Sequence, residues 1–150
     1  MRAFLYARVS TGEQNEGMQV REMLEMCERR GWEPQIFNDA GWSGAKESRP
    51  EFNRMMEQAR QKKCGAVMVY RYDRFARSVK QLVNCLAEFD VLGIQFVSVH
   101  ENIDTTLPHG KLMFHIFASI AEFERELIRQ RVRSGMDDAK AMLAQGKPTR

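Results

Sequence analysis

The sequence predicts an α/β fold: a mainly parallel central sheet flanked by helices, with a long C-terminal helix. Three observations predict it. Short apolar runs alternate with segments of helical periodicity in the order β-α-β-α-β-α-β, which calls for parallel strands joined by right-handed crossovers. The run Gly65-Ala66-Val67-Met68-Val69-Tyr70 is almost all apolar, as in a strand buried on both faces. Between Pro108 and Pro148 no proline interrupts a helical pattern of apolar residues.

The elements follow in order. Residues 3–9 alternate well enough for a first strand, which ends in Tyr6-Ala7-Arg8-Val9-Ser10-Thr11 and runs into a polar stretch with Gly12 and Gly17. Residues 19–27 come next, with Val20, Met23, Leu24 and Cys27 at helical spacing, and Gly31 suits the end of that helix. A short strand is expected at 35–39, after Pro34 and ending at Asp39. Residues 40–49 read as a loop, longer than a strand-to-helix connection needs and so a candidate for function. Pro50 opens a helix whose Phe52, Met55, Met56 and Ala59 share one face. After the apolar third strand and residues 71–78, a helix from about Val79 to Leu92 places Leu82, Val83, Leu86 and Phe89 inward and closes at Gly93. Residues 94–99 form the fourth strand.

In the last helix Leu112, Ile116, Ile120, Phe123 and Leu127 mark one stripe, with Met113, Phe117, Ala121 and Ile128 beside it. A helix of roughly 35 residues is about 50 Å long. A 150-residue domain is too narrow to bury that, so part of it must project or pack on another chain. Its later half turns basic, with Arg125, Arg129, Arg131, Arg133 and Lys140, of which Arg125, Arg129 and Arg133 share a face. A solvated charged face is the plain reading of such a stripe. Beside an apolar surface suited to a second copy, a helix lying along a nucleic-acid backbone competes with it.

Composition narrows the function. The length suits one domain with a real core, and the apolar share of 43% and charged share of 29% are ordinary for a globular protein. A net charge of +3 means that any nucleic-acid contact comes from a local patch. There is no membrane-span-length apolar run and no signal-peptide pattern, so a cytoplasmic protein is expected. Cys27, Cys64 and Cys85 then read as reduced packing thiols rather than a disulfide framework, and Cys27 has no neighbouring histidine to make it a nucleophile. His100, His109 and His115 have no metal-ligand spacing, so no metal site is expected and a zinc or His-dependent hydrolase is disfavoured. His115, inside an apolar helical pattern, reads as a packed or interface residue.

The chemistry gathers at strand ends. The C-terminal edge of an open α/β sheet is where such folds bind and react. Here it collects Arg8 and Ser10, then Asp39, then Asp73, Arg74 and Arg77. Arg8 and Ser10 are two apart on an extended strand and share a side. The plainer alternative makes Ser10 a helix cap and Arg8 a solvated strand end. Arg74 and Arg77 are three apart at a strand-to-helix turn, so in a helical turn both can face one point. Three guanidiniums around one hydroxyl repel unless an anion lies between them, and their forks match phosphate oxygens and a pentavalent phosphoryl transition state. The structural alternative gives each arginine a carboxylate, for which Asp39 and Asp73 are at hand.

Four blocks, in order, resemble the signatures of serine site-specific recombinases, the resolvase/invertase family: Tyr6-Ala7-Arg8-Val9-Ser10-Thr11, Asp39-Ala40-Gly41-Trp42-Ser43-Gly44, Tyr72-Asp73-Arg74-Phe75-Ala76-Arg77 and Ala118-Ser119-Ile120-Ala121-Glu122-Phe123-Glu124-Arg125. The resemblance spans residues 1–146. It implies a resolvase-like fold and Ser10 as the nucleophile on a DNA phosphodiester, leaving a 5′-phosphoserine link and a free 3′-OH. It further implies that Arg8, Arg74 and Arg77 hold the phosphate and that Asp73 is a candidate acid for the leaving oxygen. Gln19, Asp39, Arg49 and Arg125 match supporting positions, and Tyr6 one packed beside the nucleophile. No histidine is present to activate the serine, and the base is unassigned. No cofactor or metal is implied. The partners implied are double-stranded DNA, a second copy held by the long helix, and a tetramer during strand exchange. Residues 1–107 would form the catalytic core and 108–146 the dimerisation and DNA-contacting helix. Family members continue into a DNA-reading domain, so residues 147–150 are expected to begin a linker to one absent here. Two other classes compete: a dimeric DNA-binding or regulatory module that does not cut, and a nucleotide-binding domain, which the missing Gly-rich phosphate loop disfavours.

Overall fold

The computed structural model describes residues 1–10, 16–41 and 49–146. The side chain of Ser10, most of the loop expected at 40–49 and the linker expected at 147–150 lie outside the described residues. The elements are β1 (Arg2–Ser10), α1 (Glu16–Arg30), β2 (Glu33–Gly41), α2 (Pro50–Arg60), β3 (Ala66–Val69), α3 (Tyr72–Phe75), α4 (Val79–Leu92), β4 (Gln95–Ser98), β5 (Ile103–Asp104) and α5 (Pro108–Ala144). They form a five-stranded sheet in the order β2-β1-β3-β4-β5. The first four strands are parallel, and β5 runs antiparallel to β4.

The chain first steps from β1 outward to β2, then back past β1 to β3 and on to β4. Right-handed crossovers that reverse direction put their helices on opposite faces. The core divides accordingly. Ala3, Leu5, Ala7, Met68 and Val97 pack with Met23 and Cys27 of α1 on one face. Phe4, Tyr6, Val67 and Phe96 pack on the other with Phe52, Met55, Met56 and Ala59 of α2, Phe75 of α3, and Leu82, Leu86 and Phe89 of α4. All four α2 residues that the sequence put on one face are buried.

Local signals decide the ends. Ser78 Oγ accepts a hydrogen bond from the Gln81 amide, and Gly93 takes φ +71°, so α4 spans Val79–Leu92 as expected. Gly31, at φ +67°, closes α1 in the same way. β2 begins at Glu33, earlier than expected, because it is the sheet edge, where Pro34 can lack its N–H without breaking a ladder. α1 begins at Glu16, three residues before the expected start at residue 19. Cys27, Cys64 and Cys85 are free and buried, and burial pushes the thiols of Cys64 and Cys85 up to about 11.

The 37 residues of α5 would measure about 55 Å, beyond what the core can cover. Phe114 and Phe117 rest against the core and Ala121 is buried. Leu112, Ile116, Ile120, Phe123 and Ile128 face outward, Phe123 at 63% exposure. His115 is exposed too, so it is not a packed core residue. No helix among the described residues is long and apolar enough to cross a membrane.

Candidate active site at the β1–β3 switch point

The reversal of direction leaves a crevice at the C-terminal ends of β1 and β3, the place where open α/β sheets bind ligands. β1 pairs with β3 only as far as Tyr6–Val69, whereas its pairing with β2 continues to Ser10–Gly41. Residues 7–10 therefore stand beyond the end of β3, where the chain after β3 turns through α3. Strand alternation puts Arg8 on the side of Tyr6, the face that carries α2 and α3. Ser10 is the last residue of β1, on the same overhang.

Asp39 is 3% exposed and lies opposite Arg8 in the β1–β2 register. Its carboxylate closes the start of α2: Oδ1 accepts from the Glu51 amide at 2.9 Å and Oδ2 from the Phe52 amide at 3.0 Å. Arg49, at the cap position itself, makes no side-chain cap bond. Asp39 thus supplies from another strand the acceptor that a helix N-terminus needs.

The Tyr6 hydroxyl also donates to Asp39 Oδ2, at 2.8 Å, and accepts from Arg49 Nε at 3.1 Å. Arg49 is 7% exposed; its guanidinium carbon lies 3.9 Å from the Phe52 ring centroid and 5.1 Å from that of Tyr6. Its Nη2 donates to the Phe75 carbonyl, the last of α3, at 2.5 Å. Burial, only partly offset by Arg49, pushes the Tyr6 phenol up to about 12, so it keeps the proton that it donates. A continuous chain of hydrogen bonds thus runs from the α2 N-terminus through Asp39, Tyr6 and Arg49 to α3. Tyr6, Asp39 and Arg49, which the sequence resemblance singled out, are brought together, and they fix where α3 sits.

α3 carries Asp73 and Arg74. Its final N–H, that of Ala76, closes on the Tyr72 carbonyl at 2.8 Å, and Ala76 itself is extended. The expectation that Arg74 and Arg77 share a helical turn is corrected by this. Arg77 lies past the end of α3, on the extended link to Ser78, and its amide donates to Gln81 Oε1 at 2.7 Å. Both arginines still follow β3 at the switch-point edge. Asp73 is bound by Arg71, with Nη2 to Oδ2 at 2.9 Å, a partner that sequence reasoning did not weigh. Gln19 is half-buried in α1, while Arg125, Arg129, Arg131, Arg133 and Lys140 are exposed on the outer part of α5. Arg129 has Glu126 at 3.7 Å.

Arg8 thus stands at the C-terminal end of β1, and Arg74 and Arg77 follow that of β3, the edge at which an open α/β sheet binds its ligands. The family model for the N-terminal domain of resolvases matches residues 3–144, and the chain belongs to this family. Among its relatives, the DNA-invertase of Escherichia phage P1 is 39% identical over 91% of this chain and 69% of its own length. The Tn917 resolvase of Enterococcus faecalis is 33% identical over 91% and 70%. The serine recombinase gin of Escherichia phage Mu is 37% identical over 90% and 66%. Among solved structures, the N-terminal catalytic domain of TP901-1 integrase superposes with a TM-score of 0.74 at 36% identity, covering 85% of this chain and 98% of that one. A resolvase family site-specific recombinase from Streptococcus pneumoniae superposes with a TM-score of 0.76 at 30% identity, covering 94% and 99%.

Proposed function

We propose that this chain cuts and rejoins DNA strands in site-specific recombination, with Ser10 as the nucleophile. The observation that carries the reading is the β1 overhang: Arg8 and Ser10 end a strand that stands over α3 at the switch point, in a chain of the resolvase family. In this reading the Ser10 hydroxyl gives up its proton to a general base and attacks the phosphorus, the bond to the 3′-oxygen breaks, and a 5′-phosphoserine link forms. The leaving oxygen takes a proton, for which Asp73 is the candidate donor, and Arg8, Arg74 and Arg77 neutralise the charge on the equatorial oxygens. Rejoining is the reverse attack by a free 3′-OH, so the bond energy is conserved and no nucleotide cofactor is needed. Residues 1–107 act as the catalytic core. Residues 108–146 hold a second copy by the outward apolar stripe of α5 and lay the basic half of α5 along double-stranded DNA in the cytoplasm. Two such dimers meet in a tetramer for exchange.

The test is a covalent adduct. Denaturing gels after incubation with duplex DNA carrying the recombined site are expected to show protein joined to a 5′ end. Ser10→Ala is expected to abolish the adduct while leaving DNA binding intact. An adduct that persists in Ser10→Ala removes Ser10 as nucleophile.

A further inference from the structure

We infer that Glu101, held by Ser98, is a positioning residue that sets the stance of α3 and thereby of Arg74 and Asp73. The inference rests on the reaction proposed above.

α3 cannot hold itself. It has four residues, with the Arg74 amide bonded to the Arg71 carbonyl at 3.2 Å and the Ala76 amide to that of Tyr72 at 2.8 Å. An isolated turn of that length is unstable in water. Its C-terminal end is tied by Arg49. Its N-terminal end has no local cap, because Arg71, at the cap position, makes no side-chain bond there. The acceptor comes from Glu101, whose Oε2 lies 3.4 Å from the Tyr72 amide. The same oxygen accepts a hydrogen bond from Ser98 Oγ. Ser98 is the last residue of β4 and fully buried.

The backbone holds this pair in place. The amides of Val99 and His100 donate to the carbonyls of Val69 and Tyr70, at 3.0 and 2.8 Å, so the turn after β4 stays pinned to the chain leaving β3. Asn102, at φ +53°, then reverses the chain into β5, a conformation that asparagine tolerates. Glu101 is thereby fixed over the start of α3. The Tyr72 ring meets Phe117 of α5, with centroids 5.8 Å apart, so the same turn of helix also touches the long helix. Asp39 caps α2 from β2, and Glu101 caps α3 from the β4–β5 turn. Two remote carboxylates thus set the two helical starts that frame the site.

The experiment compares Glu101→Ala, Glu101→Gln and Ser98→Ala with a Met55→Ala control that weakens the core elsewhere. Amide hydrogen exchange at Tyr72 and Ala76 is expected to quicken about five- to tenfold in Glu101→Ala, with β1 and β3 unchanged. Glu101→Gln, whose amide oxygen can still accept, is expected to restore most of the protection. On DNA that the wild type cleaves, Glu101→Ala is expected to slow adduct formation by a similar factor at unchanged DNA affinity. It is expected to add little to Arg74→Ala, because both act through one group. Unchanged exchange at α3, equal quickening in Met55→Ala, or full additivity with Arg74→Ala would overturn the inference. If the wild type forms no adduct on any DNA, the proposed reaction fails, and the exchange comparison alone decides whether Glu101 holds α3.

Discussion

Tyr6 stands between a buried carboxylate and a buried guanidinium, and its hydroxyl links them. Tyr6→Phe keeps the ring packing on Phe52 and Phe75 but strands Arg49 Nε and leaves Asp39 Oδ2 with the Phe52 amide in place of two donors. Leaving buried polar groups unmatched costs about 1–3 kcal/mol, and urea denaturation is expected to show a loss of that size. A midpoint unchanged from wild type would mean that water replaces the hydroxyl. The same burial makes the protein sensitive to alkali. The folded state holds Tyr6 up to about 12 and Cys64 and Cys85 up to about 11, above their ordinary values, so all three favour the protonated form. Their contribution to stability is complete below pH about 9 and is lost as pH rises through 11 to 12. Urea midpoints measured from pH 8 to 11 are expected to fall, and to fall less in Cys85→Ala. Of this network the sequence marked the members but not the bonds. Asp39 and Arg49 are ten residues apart in the chain, and nothing in their spacing shows that a tyrosine on a third segment joins them.

At the scale of elements, the root of α5 is set by close backbone approach. A Cβ on Gly110 would sit 1.8 Å from the Asp104 carbonyl oxygen, so the first turn of α5 lies flat on β5 only because glycine is there. Gly110→Ala is expected to lower stability by about 1–3 kcal/mol, as overpacking does, and to quicken exchange in β5. Asp104 also ties this root to α1: Arg30 Nη2 donates to Oδ2 at 2.7 Å, and the Thr106 amide and hydroxyl donate to Oδ1. Burial alone would raise this carboxyl, but the bonds from Thr106 and Arg30 outweigh it and hold it below the ordinary range. Its contribution is present above pH about 4 and is lost as pH falls through the lowered folded value. Arg30→Ala is expected to flatten the acid limb of melting temperature against pH between 2 and 5. An unchanged limb would assign the shift to Thr106 alone. α4 was legible to the residue because Ser78 and Gly93 are local signals. β5 was not, since two residues carry no periodicity and only Asn102 hints at the turn before them.

Across the whole molecule, α5 divides into a root that the core covers and an outer part that it does not. The stripe of Leu112, Ile116, Ile120, Phe123 and Ile128 needs a partner surface, and a second copy presents the same stripe. Under the proposed dimer, Ile120→Glu with Phe123→Glu is expected to shift sedimentation to the monomer with little change in melting temperature. A wild-type chain that sediments as a monomer at high concentration would end that reading. The basic residues of the same helix are expected to act on DNA through its phosphates. Each of Arg129→Ala, Arg131→Ala and Arg133→Ala is then expected to reduce the salt slope of binding by about 1.

Sequence alone determined the alternation of strands and helices, the parallel sheet, the helix ends that carry their own caps, and the residue types at the strand ends, because each is written in neighbours a few positions apart. It also showed that the last helix is too long to bury. The tertiary structure decided what depends on distant segments meeting. It set the switch point between β1 and β3, the capping of α2 by Asp39 and of α3 by Glu101, the separation of Arg77 from the α3 turn, and the part of the α5 apolar face turned outward. Buried polar groups must find partners wherever the fold brings them, and those partners lie 33 residues away for Tyr6 and 29 for Tyr72.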